Sequence, residues 1–303
     1  MNYKKKMMLD YLKSNCLDEK WINGGTAYRI QRTAIEAIKS LPAFFDMAIL
    51  NKTYIRQIEL VLTTKCTLKC RDCANLMQHY SAPYDIEVKD LLKSADLFLN
   101  KIDKISDFRL LGGEPFIYKD LNILLDELIR SPKIEKITFF TNGTIIPNDK
   151  LTGLLKNKKV RIWISNYNLP HQKIQALSEF CRANSINYYV KTDSLQWGYV
   201  GEPEAHHRNA KDLQKQFECC NNTCRSLLNG KMFYCPRAAH LDDLGYCTAK
   251  ENEFLMLNND TNVEDILKMI YRQHFMSACD YCNYGTADMI PIPPGIQQKK
   301  ADK

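Results

Sequence analysis

Between residues 58 and 190 five short apolar runs alternate with amphipathic segments, and this alternation constrains the fold more than any other feature. The runs are IELVL (58–62), FRLL (108–111), ITFF (137–140), VRIWI (160–164) and INYYV (186–190). Each is of strand length and bounded by polar or turn-forming residues. Between them, residues 86–99 place Val88, Leu91, Leu92 and Ala95 on one helical face. Residues 119–130 do the same with Leu121, Leu124, Leu125 and Leu128, and residues 171–182 with Ile174, Leu177 and Cys181. Strand–helix repetition of this kind builds βαβ units and a parallel sheet. It fits an incomplete α/β barrel or a doubly wound sheet, and in either the chemistry belongs at the C-terminal ends of the strands.

The unusual residues sit at those ends. TTKCTLKCRDC follows the first run, GGEP (Gly112, Gly113, Glu114, Pro115) the second, TNGT (141–144) the third and SNYN (165–168) the fourth. Gly, Asn and Pro punctuate any loop, so TNG or SNY alone carries little. A cysteine-rich loop on the same edge changes that.

That loop holds Cys66, Cys70 and Cys73 in the spacing C-x3-C-x2-C. The chain has 303 residues and 12 cysteines. It shows no signal peptide and no apolar run approaching the roughly 20 residues of a membrane helix, so the expected compartment is the cytoplasm. Thiols are kept reduced there, and clustered cysteines then point to a metal or to catalysis rather than to disulfides. Thiolates suit iron–sulfur clusters and zinc. A structural zinc site is closed by four ligands, whereas three thiolates on a four-iron cluster leave one iron open to a small molecule. Zinc completed by a distant ligand is the alternative. The net charge of +7 is spread along the chain apart from KKK at 4–6, and argues for neither a nucleic acid nor a membrane surface.

C-x3-C-x2-C after the first strand, GGEP after the second and TNG (141–143) after the third together resemble the radical S-adenosylmethionine (radical SAM) enzymes, over roughly residues 56–200. The resemblance implies a partial (β/α)6 TIM-like barrel. It implies a catalytic 4Fe–4S cluster on Cys66, Cys70 and Cys73 whose open iron is chelated by S-adenosylmethionine. The reduced cluster cleaves the sulfonium to methionine and a 5′-deoxyadenosyl radical, which abstracts hydrogen from a substrate. Glu114 would accept from the SAM ammonium, Gly112 and Gly113 would let the backbone approach the ligand, with Pro115 completing the motif. Asn142 would contribute from the TNG turn, and Ser165 and Asn166 would reach the ribose. An external one-electron reductant such as flavodoxin or ferredoxin is implied. One departure is Asp72, which stands where the family often has an aromatic residue near the adenine.

After about residue 205 the alternation stops and cysteines return at 219, 220, 224, 235, 247, 279 and 282. SLLNGKMFYC reads as a hairpin turning at Asn229-Gly230, and VEDILKMIYRQHF as a last helix before CDYC (279–282). Gly230-x4-Cys235 with the distant Cys279 and Cys282 resembles the SPASM/twitch auxiliary domains of the same superfamily. This implies a second 4Fe–4S cluster on Cys235, Cys279, Cys282 and one of Cys219, Cys220 and Cys224. A zinc ribbon on residues 224–235 and 279–282 is the alternative.

The chain is thus expected to divide into an N-terminal helical segment (1–55, including TAYRIQRTAIEAIKSL with Ile30, Ala34, Ile38 and Leu41), a barrel (56–205) and a cysteine-rich domain (206–303) with a mobile tail from residue 291. Cys16 and Cys181 are expected as buried thiols. Cys247 is either core or a hydrogen-atom donor near substrate. His206, His207 and Trp197 lie between barrel and cysteine domain, where a substrate pocket would form, although an exposed histidine pair is the plainer reading. The leading expectation is radical oxidation of a small polar molecule, sugar- or aminocyclitol-like, with the second cluster accepting the electron. The alternatives are a radical epimerase with a cysteine donor, modification of a ribosomally made peptide, and an iron–sulfur or zinc interaction module without catalysis.

Overall fold

The computed structural model describes residues 3–16, 38, 40–191 and 196–298, the side chains of 12–16 excepted. Most of the expected helix over TAYRIQRTAIEAIKSL, and the Cys16 thiol, lie outside these. Two N-terminal helices are described, α1 (Tyr3–Cys16) and α2 (Leu41–Ala48). Met7, Tyr11, Met47 and Tyr54 form a small core of their own. Among the described residues no helix is long and apolar enough to cross a membrane.

All five apolar runs become strands: β1 (Tyr54–Thr63), β2 (Lys104–Gly112), β3 (Ile137–Thr141), β4 (Val160–Ser165) and β5 (Tyr188–Lys191). They pair in parallel and in sequence order. Between them run α3 (Val88–Leu99), α4 (Leu121–Arg130), α5 (Asp149–Leu155) and α6 (Ile174–Ala183). The faces anticipated on α3, α4 and α6 are the faces buried, with Leu91, Ala95, Leu124, Leu125 and Leu177 each 2 % exposed or less.

A two-residue strand β6 (Trp197–Gly198) and α7 (Ala210–Cys219) lead to the anticipated hairpin, β7 (Ser226–Leu228) and β8 (Lys231–Phe233). Asn229 and Gly230 turn it with φ of 50° and 76°, the left-handed pair that a tight hairpin requires. The hairpin does not stand apart. β7 pairs in parallel with β1, so β9 (Phe254–Met256) closes an eight-stranded sheet of order β5-β4-β3-β2-β1-β7-β8-β9. Six strands are parallel, but the sixth joins at the β1 edge instead of following β5, and no closed barrel forms. One continuous core runs through the sheet and into α8 (Pro236–Asp243) and α9 (Val263–Ile270); α9 ends five residues short of the pattern that announced it. The sheet and the core both cross the boundary expected near residue 205.

The expectation of a mobile tail from residue 291 is overturned for residues 291–298. β10 (Pro291–Ile292) pairs antiparallel with β6, and Gln297 bridges to Cys70.

Candidate active site

The parallel strands direct four turns to one edge. The cysteine loop leaves β1 there and meets the turn after β3. The Thr67 hydroxyl lies 2.6 Å from that of Thr144, and Asn142 donates to the Thr67 hydroxyl at 3.0 Å and to Cys66 Sγ at 3.6 Å. Cys66, Cys70 and Cys73 lie within electrostatic reach of one another, and burial pushes the thiols of Cys66 and Cys70 up to about 12 and about 11. All three sulfurs face N–H donors: the Leu68 backbone on Cys66, the Gln297 amide on Cys70, and the Asn75, Leu76 and Met77 backbone on Cys73. Sulfur buried at a polar edge and ringed by N–H groups suits a thiolate bound to metal better than a neutral thiol.

The two glycines of GGEP have their reason inside the fold. A Cβ on Gly112 would lie 2.2 Å from the carbonyl oxygen of Thr63, and one on Gly113 would lie 1.9 Å from that of Lys65 and 2.8 Å from Cys66 Cβ. Gly112 also sits at φ +150°. The space left by the missing side chains is filled by the end of β1, so the glycines bring the GGEP turn against the cysteine loop.

Glu114 is fully buried. Its Oε1 accepts from the Phe116 N–H (3.2 Å) and the Thr141 hydroxyl (2.8 Å), and its Oε2 from the Asn142 N–H (2.9 Å). Burial pushes this carboxyl up to about 7 against those donors. The side chain braces the TNG turn from below, and Pro115 starts a short 3-10 turn beside it. Asn142 Oδ1 accepts from Thr144, both N–H and hydroxyl. Ser165, the last residue of β4, and Asn166, the first beyond it, are half-buried, and in the turn that follows Asn166 Oδ1 accepts from the Asn168 N–H at 2.9 Å.

Tyr167, from that same turn, was not singled out in the sequence. It lies within electrostatic reach of Cys66, Cys70 and Cys73, and its ring meets Trp197 edge-on at 5.4 Å. Its only signal was its position two residues past a strand end. A second set also escaped notice. Glu59, Asp107, Arg109, Thr138 and Arg161 share one face of β1–β4. Arg109 lies 2.9 Å from Asp107 and 3.6 Å from Glu59, and Arg161 lies 3.1 Å from Asp107. Against the upward push of burial, the two arginines hold Asp107 below the usual carboxylate range. Charges embedded in otherwise apolar strands were the available signal.

The second cysteine set gathers around one point. Cys235 interacts electrostatically with Cys279, Cys282 and Cys220, Cys279 with Cys282 and Cys220, and Cys220 with Cys282. Each sulfur faces a backbone N–H: Ala238 on Cys235 (3.3 Å), Met276 on Cys279 (3.4 Å), Tyr284 on Cys282 (3.3 Å) and Asn222 on Cys220. Gln216 ties α7 to this turn by donating to the carbonyls of Cys279 (3.0 Å) and Cys282 (2.6 Å). Cys219 is exposed. Cys224 turns away, with burial and then Glu59 pushing its thiol up. Cys247 is buried beside Ala238, Ala249, Met276 and Ala278, and Cys181 is fully buried.

Arg237, the second residue of α8, lies between the two thiol sets. It donates to the carbonyls of Tyr281 (2.9 Å), Gly201 (2.7 Å) and Glu202 (3.1 Å). It interacts electrostatically with Cys282 and Cys235 on one side and with Cys73 on the other. His206 and His207 are exposed, and their backbone N–H groups donate to Asp280.

Among the described residues no three His, Cys, Asp or Glu side chains are arranged to hold a single metal ion. Two sets of mutually interacting, N–H-ringed sulfurs, with a buried guanidinium between them, are donor sets that suit thiolate-bound iron–sulfur clusters.

Residues 60–188 match the family model described as the Radical SAM superfamily. Molybdenum cofactor biosynthesis protein moc-5 of Caenorhabditis elegans is 32% identical over 180 residues, which is 57% of this chain and 28% of that protein. GTP 3',8-cyclase of Clostridium perfringens (strain SM101 / Type A) is 26% identical over 142 residues, 45% of this chain and 42% of that one. The chain therefore spans less than half the length of either relative. Among solved structures, native anSMEcpe with bound AdoMet aligns over 77% of this chain and 91% of its own, at 13% identity and a TM-score of 0.46.

Proposed function

We propose that this chain, whose residues 60–188 match the Radical SAM superfamily model, holds a 4Fe–4S cluster on Cys66, Cys70 and Cys73 and generates a substrate radical from S-adenosylmethionine. When bound, a cluster with one iron free of protein ligands chelates S-adenosylmethionine and supplies the electron that splits its sulfonium. The observation that carries the reading is the meeting of the three-thiol loop with the GGEP and TNG turns at one sheet edge. Glu114 fixes the TNG turn, Gly113 lets the GGEP turn close on the loop, and Asn142 orients Cys66. Tyr167 stands within electrostatic reach of the three sulfurs, with Trp197 edge-on to its ring.

Cys220, Cys235, Cys279 and Cys282 would hold the second 4Fe–4S cluster, and Cys219 and Cys224 would not. The substrate in this reading would be a small polar molecule bearing a hydroxyl or amine on the reacting carbon; it would give up a hydrogen atom from that carbon, the proton of that group and one electron, for which the second cluster would be the acceptor. Burial of Cys247 within the core favours oxidation over the return of hydrogen by that thiol. A second reading is a guanine nucleotide, favoured by the naming of one relative as GTP 3',8-cyclase. A low-potential reductant such as flavodoxin or ferredoxin would supply the first electron.

Anaerobic reconstitution tests the reading. The expected result is about eight irons per chain, in two clusters, and release of methionine and 5′-deoxyadenosine under dithionite. Incubation with deuterated polyols, aminocyclitols and GTP would show label in 5′-deoxyadenosine for the true substrate class. Absence of S-adenosylmethionine cleavage by protein holding both clusters would reject it.

A further inference from the structure

The described part of the C-terminal segment is built onto the cysteine loop. β10 anchors it to β6. Gly295, at φ +71°, then passes so close to Tyr167 that a Cβ would lie 2.9 Å from the tyrosine Cβ. The next three residues pair with the loop. The Arg71 N–H donates to the Ile296 carbonyl at 2.7 Å, and the Gln298 N–H to the Lys69 carbonyl at 2.8 Å. Both ends of the Gln297 amide are used. Its Oε1 accepts from the Lys69 N–H at 2.8 Å, and its Nε2 donates to the Gly295 carbonyl at 2.7 Å and to Cys70 Sγ at 3.3 Å. The orientation of this amide follows from its partners. A backbone N–H only donates, so the atom facing Lys69 is the oxygen, and the nitrogen faces the sulfur.

We propose that Gln297 is a positioning residue for the first cluster: its N–H to Cys70 raises that cluster's reduction potential, while residues 295–298 hold the loop in register and cover the sulfur. The inference rests on the reading that Cys66, Cys70 and Cys73 bind the cluster. A reduced cluster carries one more negative charge, spread partly over its sulfurs. An N–H donor stabilises that form more than the oxidised one. Cys70 as a residue is only 8 % exposed, so the bond is partly shielded from water.

The test is a redox titration of full-length, anaerobically reconstituted protein followed by electron paramagnetic resonance, with the second cluster as internal reference. Gln297→Met removes the donor without adding charge. Gln297→Glu removes the donor but keeps an oxygen for the Lys69 N–H. The expected result is a more negative potential for the first cluster in both variants, larger in the glutamate, with the second cluster unmoved. In metal-free protein, hydrogen exchange at the Arg71 and Gln298 amides should stay slow in the glutamate variant, because their acceptors are backbone carbonyls. An unchanged first potential in the methionine variant, or equal shifts of both clusters, overturns the proposal. If the methionine variant does not hold iron at the first site, the glutamate variant decides, and an unmoved or more positive potential there overturns it. Wild-type protein that takes up no first cluster removes the underlying reading as well. Two clusters with an insensitive potential remove only the role of Gln297.

Discussion

Cys224 Sγ stands 3.8 Å from Nη1 of Arg109, turned into the charged face of the sheet and away from the other late cysteines. Gln57 Nε2 approaches the same sulfur at 3.9 Å. Cys220, four residues earlier, couples instead with Cys235, Cys279 and Cys282. Two serine variants separate these settings. Cys220→Ser should lose the second cluster, lowering iron by about four per chain, while Cys224→Ser should keep both clusters. Iron analysis of reconstituted protein checks it, and the opposite pattern would exchange the two assignments.

Gly113→Ala should be far more harmful than a methyl group suggests. The added Cβ would fall 1.9 Å from the Lys65 carbonyl oxygen and 2.4 Å from its carbon. Backbone cannot rotate aside as a side chain does, so the GGEP turn or the cysteine loop must shift. The cost is at least the roughly 1–3 kcal/mol of an overpacked methyl. The expected outcome is a first cluster that is lost or unstable, with the second retained. A variant that binds both clusters with wild-type stability would show that the loop tolerates the displacement.

Much of this arrangement was legible because it is local. The alternation fixed β1–β5, and the polar turns after those strands marked the edge where Cys66, Glu114 and Asn142 meet. What was not legible depends on contacts distant in sequence. An α-helix turns about 100° per residue, so whether Cys219 or Cys220 faces Cys235 depends on where α7 ends. Cys219 is its last residue and Cys220 its C-cap, a distinction of one residue that no spacing rule resolves. The parallel pairing of β7 with β1 joins residues 59 and 226. Tyr167 and Gln297 reach the first thiol set only after the chain has crossed the sheet. The double glycine was legible as a motif, but its cause, the approach of Lys65, is a contact between two strand ends.

Glu114→Gln should destabilise the protein even without S-adenosylmethionine. The carboxylate accepts from three protein donors, Phe116, Thr141 and Asn142. An amide keeps one acceptor oxygen and turns an NH2 group toward the remaining donor. A buried donor left facing another donor costs about 1–3 kcal/mol. A lowered melting temperature of the ligand-free variant is the expected reading, accompanied by weaker S-adenosylmethionine binding. Weaker binding at unchanged stability would instead assign Glu114 wholly to the ligand.

His240 gives the molecule an acid-sensitive joint between its two cysteine regions. The ring is fully buried. Its Nδ1 lies 2.8 Å from the Tyr80 hydroxyl, which donates to Asp243 at 2.8 Å, and Tyr84 donates to the same carboxylate. With the Tyr80 proton on Asp243, Nδ1–H donates to Tyr80 and Nε2 is left as an acceptor with no protein partner among the described residues. Burial pushes this histidine down from 6.5 to about 3. The unfolded chain takes up a proton below about pH 6.5 that the folded chain refuses, so His240 stabilises the fold above that pH and less as pH falls. The loss approaches 1.4 kcal/mol per unit, or roughly 2–3 kcal/mol between pH 6.5 and 4.5. His240→Asn keeps an N–H for Tyr80 but cannot titrate. At neutral pH the variant should be the less stable, through the space it leaves. On acidification the wild type should lose stability faster, and the gap should narrow. Denaturant melts of metal-free protein at several pH values measure this, and parallel curves for the two proteins would remove His240 as the titrating group.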